Sequence, residues 1–209
     1  SLIYGASLGG RCRYELALFE VDERSALRIY PYLKPDYMLI TNLSRDSIMR
    51  NAHPEYIRDI LTKYIPKETK LILNADDLIC CGIAPENPRV YFGIEKMDTD
   101  VTDCVNLIND LQICPQCHRR LEYEYRRYNH IGKAYCPHCG FKAPAYDYAG
   151  CHVDLDKMRI DVRDAAGIGH YRLLNESIFN IYNVVSAVAL LREIGYSHAQ
   201  IEAFFAKLN

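Results

Sequence analysis

Two Cys-Pro-x-Cys pairs, Cys114-Pro115-Gln116-Cys117 and Cys136-Pro137-His138-Cys139, stand 18 residues apart. No other feature restricts the fold of this chain so tightly. Two thiolates three positions apart can grip one side of a metal ion from a tight turn. Two such turns complete a tetrahedron with Zn–S distances of ~2.3 Å. The spacing lies within the window of four-cysteine zinc ribbons. Gly140 follows the last cysteine, where such a turn often needs a positive φ. Between the pairs, Leu121, Tyr123 and Tyr125 alternate like the packed face of a short hairpin. We expect Cys114, Cys117, Cys136 and Cys139 to hold a structural zinc. Four thiolates leave no open position at which a water could be activated. Zinc binding on the order of 10 kcal/mol is enough to order an insert with little core of its own, here 112–145.

The remaining cysteines, Cys12, Cys80, Cys81, Cys104 and Cys151, have no ligand spacing and read as small buried hydrophobes. An odd total of nine without a signal peptide argues against a disulfide framework and for the cytoplasm. No apolar run reaches the ~18 residues of a transmembrane segment. The stretch "HRRLEYEYRRYNH" (118–130) mixes arginines with tyrosines, as single-strand binders do. Its two glutamates and the net charge of −2 for the chain weigh against nucleic acid, and none is expected as a partner. A solvated hairpin or a protein contact surface suits the stretch better.

Around the cysteine segment the chain reads as α/β. Three continuous apolar runs, "YELALFEV" (14–21), "YMLITNL" (37–43) and "KLILNA" (70–75), do not alternate, as expected of strands buried on both faces. Helical patterns at 23–33 and 53–65 separate them, giving a mostly parallel sheet flanked by helices. "VYFGI" (90–94) supplies a fourth strand. The stretch 146–164 reads as an antiparallel section, with Met158, Ile160 and Val162 on one face. Two helices close the pattern, 175–195 ending at Gly195 and 197–208 capped by Ser197. The predicted organisation is one domain from 1–111 and 146–209, interrupted by the ribbon at 112–145. The opening "SLIYGASLGG" has no initiator Met, so we expect a segment of a longer protein.

Polar residues gather where the first three runs stop: Glu20 after the first; Asn42, Arg45 and Asp46 after the second; Asn74, Asp76 and Asp77 after the third. In an open parallel sheet, ligands bind beyond the carboxyl ends of the strands. Carboxylate and amide oxygens there suit Mg2+ with a phosphate ligand. Any one of Asp22, Asp46 and Asp76 could equally cap the next helix. Asn180 and Asn183 share a face of the 175–195 helix, as satisfied core amides or as ligand contacts.

Together "LFEVDE" (18–23), "KPDYMLITNLSRD" (34–46), "LILNADD" (71–77), "YFG" (91–93), "YCPHCGF" (135–141) and "FNIYNVVSAVALLREIG" (179–195) resemble the central domain of the Mur ligases. Within them they are most similar to the MurT type, which carries such a ribbon. The resemblance implies a P-loop-type domain lacking its first strand and phosphate loop, because no G-x-x-x-x-G-K-[ST] occurs in the chain. It implies an ATP-dependent carbon–nitrogen ligase of peptidoglycan synthesis. Such a ligase amidates the D-glutamate α-carboxyl of lipid II through an acyl phosphate, with ammonia from a GatD-type glutamine amidotransferase. By position, Glu20 would bind Mg2+ with ATP. Asn180 and Asn183 would meet the nucleotide base. Asn42, Arg45, Asp46, Asn74, Asp76 and Asp77 would line the same rim. "SIMRNAHPEY" (47–56) departs from the family pattern. A ligase core reduced to a non-catalytic zinc-ribbon scaffold for a protein partner is the competing expectation.

Overall fold

The computed structural model describes residues 14–43, 54–104 and 111–207. Arg45, Asp46 and Cys12 lie outside them. The elements run α1 (Ala26–Ile29), β1 (Tyr37–Ile40), α2 (Pro54–Tyr64), β2 (Lys70–Asn74), α3 (Leu78–Cys81), β3 (Arg89–Ile94), β4 (Glu122–Tyr128) and β5 (Ile131–Tyr135). They continue with β6 (Tyr148–Asp154), β7 (Arg159–Asp164), β8 (Gly167–Arg172), α4 (Ile178–Ile194) and α5 (His198–Phe205). Six strands form one sheet in the order β1-β2-β3-β6-β7-β8, while β4 and β5 make a separate pair. The first three pairings are parallel, and the last two are antiparallel.

The strand period of two sorts β2 between two cores. Ile72 joins Phe92, Ile94, Val185 and Val188 beneath α4. Its neighbours Leu71 and Leu73 point the other way, to Met38, Ile57, Ile60 and Leu61. All three β2 side chains are fully buried. This is why the run is apolar throughout rather than alternating. The antiparallel end behaves as expected: Ile160 and Val162 are buried, and the residues between and beside them are not.

The α4 helix begins at Ser177, whose side chain accepts from the Phe179 N–H, and stops at Gly195 with φ 111°. The α5 helix opens on a capping box between Ser197 and Gln200. The 23–33 helix is shorter than its pattern predicts: a 3-10 turn at Glu23–Ser25 leads into α1, which ends before Pro31. Proline has no N–H to carry the ladder on. No helix among the described residues is long and apolar enough to cross a membrane.

The run at 14–21 corrects the sequence expectation. It is not a strand. Tyr14, Leu16 and Leu18 are exposed, and 14–22 makes no ladder with β1. Its composition suits a central strand, but among the described residues β1 ends the sheet and no further strand stands beyond it. The 17–21 segment faces β1 across a cavity without pairing to it, and Tyr14, Leu16 and Leu18 remain exposed.

Candidate active site and metal centre

The two cysteine turns meet as their spacing requires. All four sulfurs lie within 4.8 Å of one another. Sγ of Cys114 is 3.6 Å from that of Cys139, and Sγ of Cys117 is 3.5 Å from that of Cys136. A tetrahedron with the usual Zn–S distance has S···S edges of about 3.8 Å, close to these two separations, so the four donors suit zinc. Gly140 takes φ 76° in the second turn. Burial alone would raise the Cys136 thiol, but the N–H groups of Cys139 and His138 bring it down to about 7. The N–H of Phe141 favours the Cys139 thiolate, yet burial and the three neighbouring sulfurs push it up to about 12. Four thiolates at these separations need a cation among them. Beneath the cluster, Leu121, Tyr123 and Ala134 pack against Leu78 and Cys81 of α3. The ribbon therefore shares its small core with the helix that follows β2.

The ribbon also reaches into the main domain, which the sequence does not predict. The side chain of Arg127, near the end of β4, is 2% exposed and pairs with Asp76 at 2.7 Å and with Asp100 at 3.1 Å. It also donates to the carbonyls of Ile94 and Glu95 at 2.7 and 2.6 Å. Asp76, fully buried, accepts from Arg127, from Tyr182 of α4 at 2.7 Å and from Tyr146 at 2.5 Å. The backbone of Ile94 donates to it as well, at 3.2 Å. Burial works against the Arg127 charge, but the oxygens of Tyr182, Asp76 and Asp100 outweigh it and raise its pKa above the ordinary arginine value. Burial first, and then Asp76, raise the Tyr182 and Tyr146 hydroxyls far from their usual range, so both act as neutral donors. Gly93 makes the arrangement possible, because a Cβ there would overlap the Tyr146 ring.

Asp77 is equally committed. One oxygen accepts from the N–H groups of Ile79 and Cys80, capping α3, and from His130 Nε2 at 3.1 Å. The other accepts from the Leu43 N–H at 2.7 Å and from the Cys80 thiol at 3.1 Å. A carboxylate only accepts, so His130 must carry its hydrogen on Nε2. Burial would raise the Asp77 carboxyl, but His130, the Leu43 N–H and the Cys80 thiol hold it below the usual carboxylate range. Asn74 donates to the Thr41 carbonyl at 2.9 Å and accepts from the Asp76 N–H at 2.9 Å. Capping therefore falls to Asp77 rather than Asp76. Asp22 caps the turn at 23–25.

The carboxyl end of β1 is built differently. Asn42 is half-buried, and it lines a cavity of about 400 Å³ together with the exposed Glu20. Met38, Leu39 and Ile40 of β1, the 17–21 segment and Leu190 of α4 form its largely apolar wall. Asn74 is linked to this edge through Thr41. At the start of α4, the half-buried Asn180 accepts from the Leu174 and Asn175 N–H groups at 3.0 and 3.3 Å. Asn183 is exposed. Tyr182 between them reaches Asp76, which sets the start of α4 at the carboxyl end of the sheet.

Sequence reading missed Arg127, His130, Tyr146 and Tyr182. For Arg127 a signal existed: it continues the alternation of Leu121, Tyr123 and Tyr125 onto the packed face. Arg126, on the other parity, stacks over Tyr123 at 3.6 Å. The mixed arginine and tyrosine stretch is thus largely spent on internal contacts.

No family model matches the chain. It is 31% identical over 197 residues to the MurT subunit of lipid II isoglutaminyl synthase from Streptococcus pneumoniae, covering 92% of this chain and 43% of that protein. The MurT subunit of Staphylococcus aureus is 29% identical over 194 residues, 91% of this chain and 43% of that one. This chain spans less than half the length of these relatives. Among solved structures, a pseudomurein peptide ligase type C from Methanothermus fervidus aligns with TM-score 0.66 and 27% identity over 84% of this chain and 34% of that one. The UDP-N-acetylmuramoyl-L-alanyl-D-glutamate–2,6-diaminopimelate ligase aligns with TM-score 0.56 over 90% of this chain and 31% of that one. At 11% identity it speaks to fold alone. The fold is that of the Mur-type peptide ligases, and over nine-tenths of its length the chain is similar to MurT subunits.

Proposed function

As a homologue of MurT subunits over nine-tenths of its length, this chain, we propose, is the nucleotide-site domain of an ATP-dependent amide ligase acting on a peptidoglycan precursor. The observation that carries the reading is the cavity along the open edge of β1, from Leu33 and Pro35 to Asn42, whose lining Glu20 and Asn42 share. Asn42 brings it to the carboxyl end of a parallel strand, where open α/β sheets bind ligands. Glu20 offers the hard oxygen that Mg2+ takes. Asn42 stands beside it to accept from or donate to a phosphate's surroundings. Asn183, exposed near the start of α4, is the better of the two helix amides for the nucleotide base, since Asn180 already braces the turn before the helix. Glu20 and Asn42 would hold the magnesium and the phosphates, and bound MgATP would supply an electrophilic γ-phosphoryl group. Its transfer to the acceptor carboxylate would release ADP and leave an acyl phosphate, from which ammonia delivered by a GatD-type glutaminase would displace phosphate to form the amide. In this reading 1–111 and 146–209 make the ligase domain, and 112–145 is its zinc-bearing insert. Asn74, Asp76 and Asp77 shape the rim from beneath rather than touching ligand, because their polar atoms are already bonded.

The test is titration of the full-length protein with MgATP. Saturable binding that Glu20→Gln weakens at least tenfold supports the assignment. Unchanged binding in that variant removes Glu20 from the site, and absence of binding by the wild type refutes the ligase reading. The likeness to the pseudomurein peptide ligase favours a second reading, in which the amine is an amino acid. Isotope-labelled glutamine distinguishes the two: amide nitrogen carrying the label points to ammonia transfer.

A further inference from the structure

One chain of contacts leads from the ribbon's cysteine cluster to the end of β1. The cluster packs on Leu78 and Cys81 of α3. Asp77 caps that helix, and the same carboxylate binds His130 at the β4–β5 turn. Its second oxygen holds the N–H of Leu43, the residue after Asn42. All members are buried: His130 is 1% exposed, Asp77 is fully buried and Leu43 is 6% exposed. We propose that His130 is a positioning residue, through which the metal-held ribbon fixes the backbone at the end of β1 and so the placing of Asn42. The proposal rests on reading that strand end as the nucleotide rim.

The physical reason lies in Asp77. Asp77 is buried and gathers donors on both oxygens, the Ile79 and Cys80 N–H groups with His130 on one and the Leu43 N–H with the Cys80 thiol on the other, and His130 is the donor that the ribbon supplies. With the zinc removed, the two cysteine turns lose their common anchor, and the hairpin that carries His130 loses the contact with α3. Asp77 then keeps its helix-cap bonds but loses the side chain that holds its carboxylate from the ribbon side. The carboxylate is then free to turn at its cap, which loosens the Leu43 bond on its other oxygen. Arg127 does not substitute for this link, because its partners are Asp76 and Asp100. Zinc occupancy and ligand affinity at the rim are therefore coupled, and the coupling is reciprocal.

Amide hydrogen exchange on the full-length, zinc-loaded protein reads the link directly, with Leu43 as the reporter and Ile72 in the middle of β2 as the reference. His130→Ala is expected to speed exchange at Leu43 at least tenfold, with Ile72 unchanged and one zinc per chain retained. His130→Gln, which keeps an N–H within reach of Asp77, is expected to restore protection. Chelating the zinc from the wild type should speed Leu43 more than Ile72, a comparison that stands even if His130→Ala fails to fold. Exchange at Leu43 that ignores both zinc removal and the His130 variants overturns the proposal. So does acceleration of Leu43 and Ile72 in step. MgATP affinity should follow Leu43 protection across the same set. If Leu43 responds while no protein in the set binds MgATP, the link stands and the nucleotide reading falls.

Discussion

The carboxyl ends of β1 and β2 are neighbours in one parallel sheet and carry the same residue types, yet they are used in opposite ways. At the end of β2, Asn74, Asp76 and Asp77 are fully buried and bonded within the protein. At the end of β1, Asn42 and the nearby Glu20 face a cavity. The difference comes from what covers each end. The ribbon lies over β2, bringing Arg127 and His130 to its two carboxylates. Nothing comparable among the described residues covers β1. An acidic residue beyond a strand is therefore a ligand candidate only when no other element of the fold has claimed its oxygens.

The comparison can be broken at the ribbon. Metal analysis is expected to return one zinc per chain, and Cys117→Ser or chelation should remove binding energy on the order of 10 kcal/mol. Thermal unfolding would then show an early loss of the ribbon ahead of the sheet. A ribbon that melts together with the sheet whether or not the metal is present would show that the metal is not what holds the cover in place.

Arg127→Leu should come next, at about 3–5 kcal/mol in urea unfolding, because it strands the buried Asp76 charge. Adding Asp76→Asn in the same chain should return much of that loss. A surface ion pair would show less than about 1 kcal/mol and no such recovery.

Asp77→Asn removes a carboxylate whose folded pKa is lowered. The contribution of such a group is fully present above the unfolded carboxylate value of about 4 and fades as pH falls through the lower folded value. The stability gap between wild type and variant should thus be level from pH 8 to 5, at about 1–3 kcal/mol, and narrow below about pH 4. A gap that widens in acid would mean that Asp77 is held protonated.

The smallest stability effect belongs to the other strand end. Glu20→Gln should change unfolding by no more than about 0.5 kcal/mol, as exposed positions do. Its effect is expected in MgATP titration instead. A large loss of stability there would place Glu20 among the structural carboxylates and erase the contrast.

Several parts of this molecule follow from local pattern. The cysteine spacing, Gly140 and the alternation of Leu121, Tyr123 and Tyr125 predict the ribbon, since a metal turn and a two-residue strand period are short-range properties. The runs 37–43 and 70–75, "VYFGI" and the caps Ser197 and Gly195 predict their elements for the same reason. The run 14–21 reads equally well as a strand, but whether it pairs depends on neighbours that its own residues do not supply. Likewise Asp76 and Glu20 are the same kind of signal in sequence. What separates them is the arrival of Arg127, 51 positions along the chain, and of Tyr182, 106 positions along, at one carboxylate. Contacts at that range have no local period, and only the packing of ribbon, sheet and α4 decided which acid became part of the framework and which was left facing the cavity.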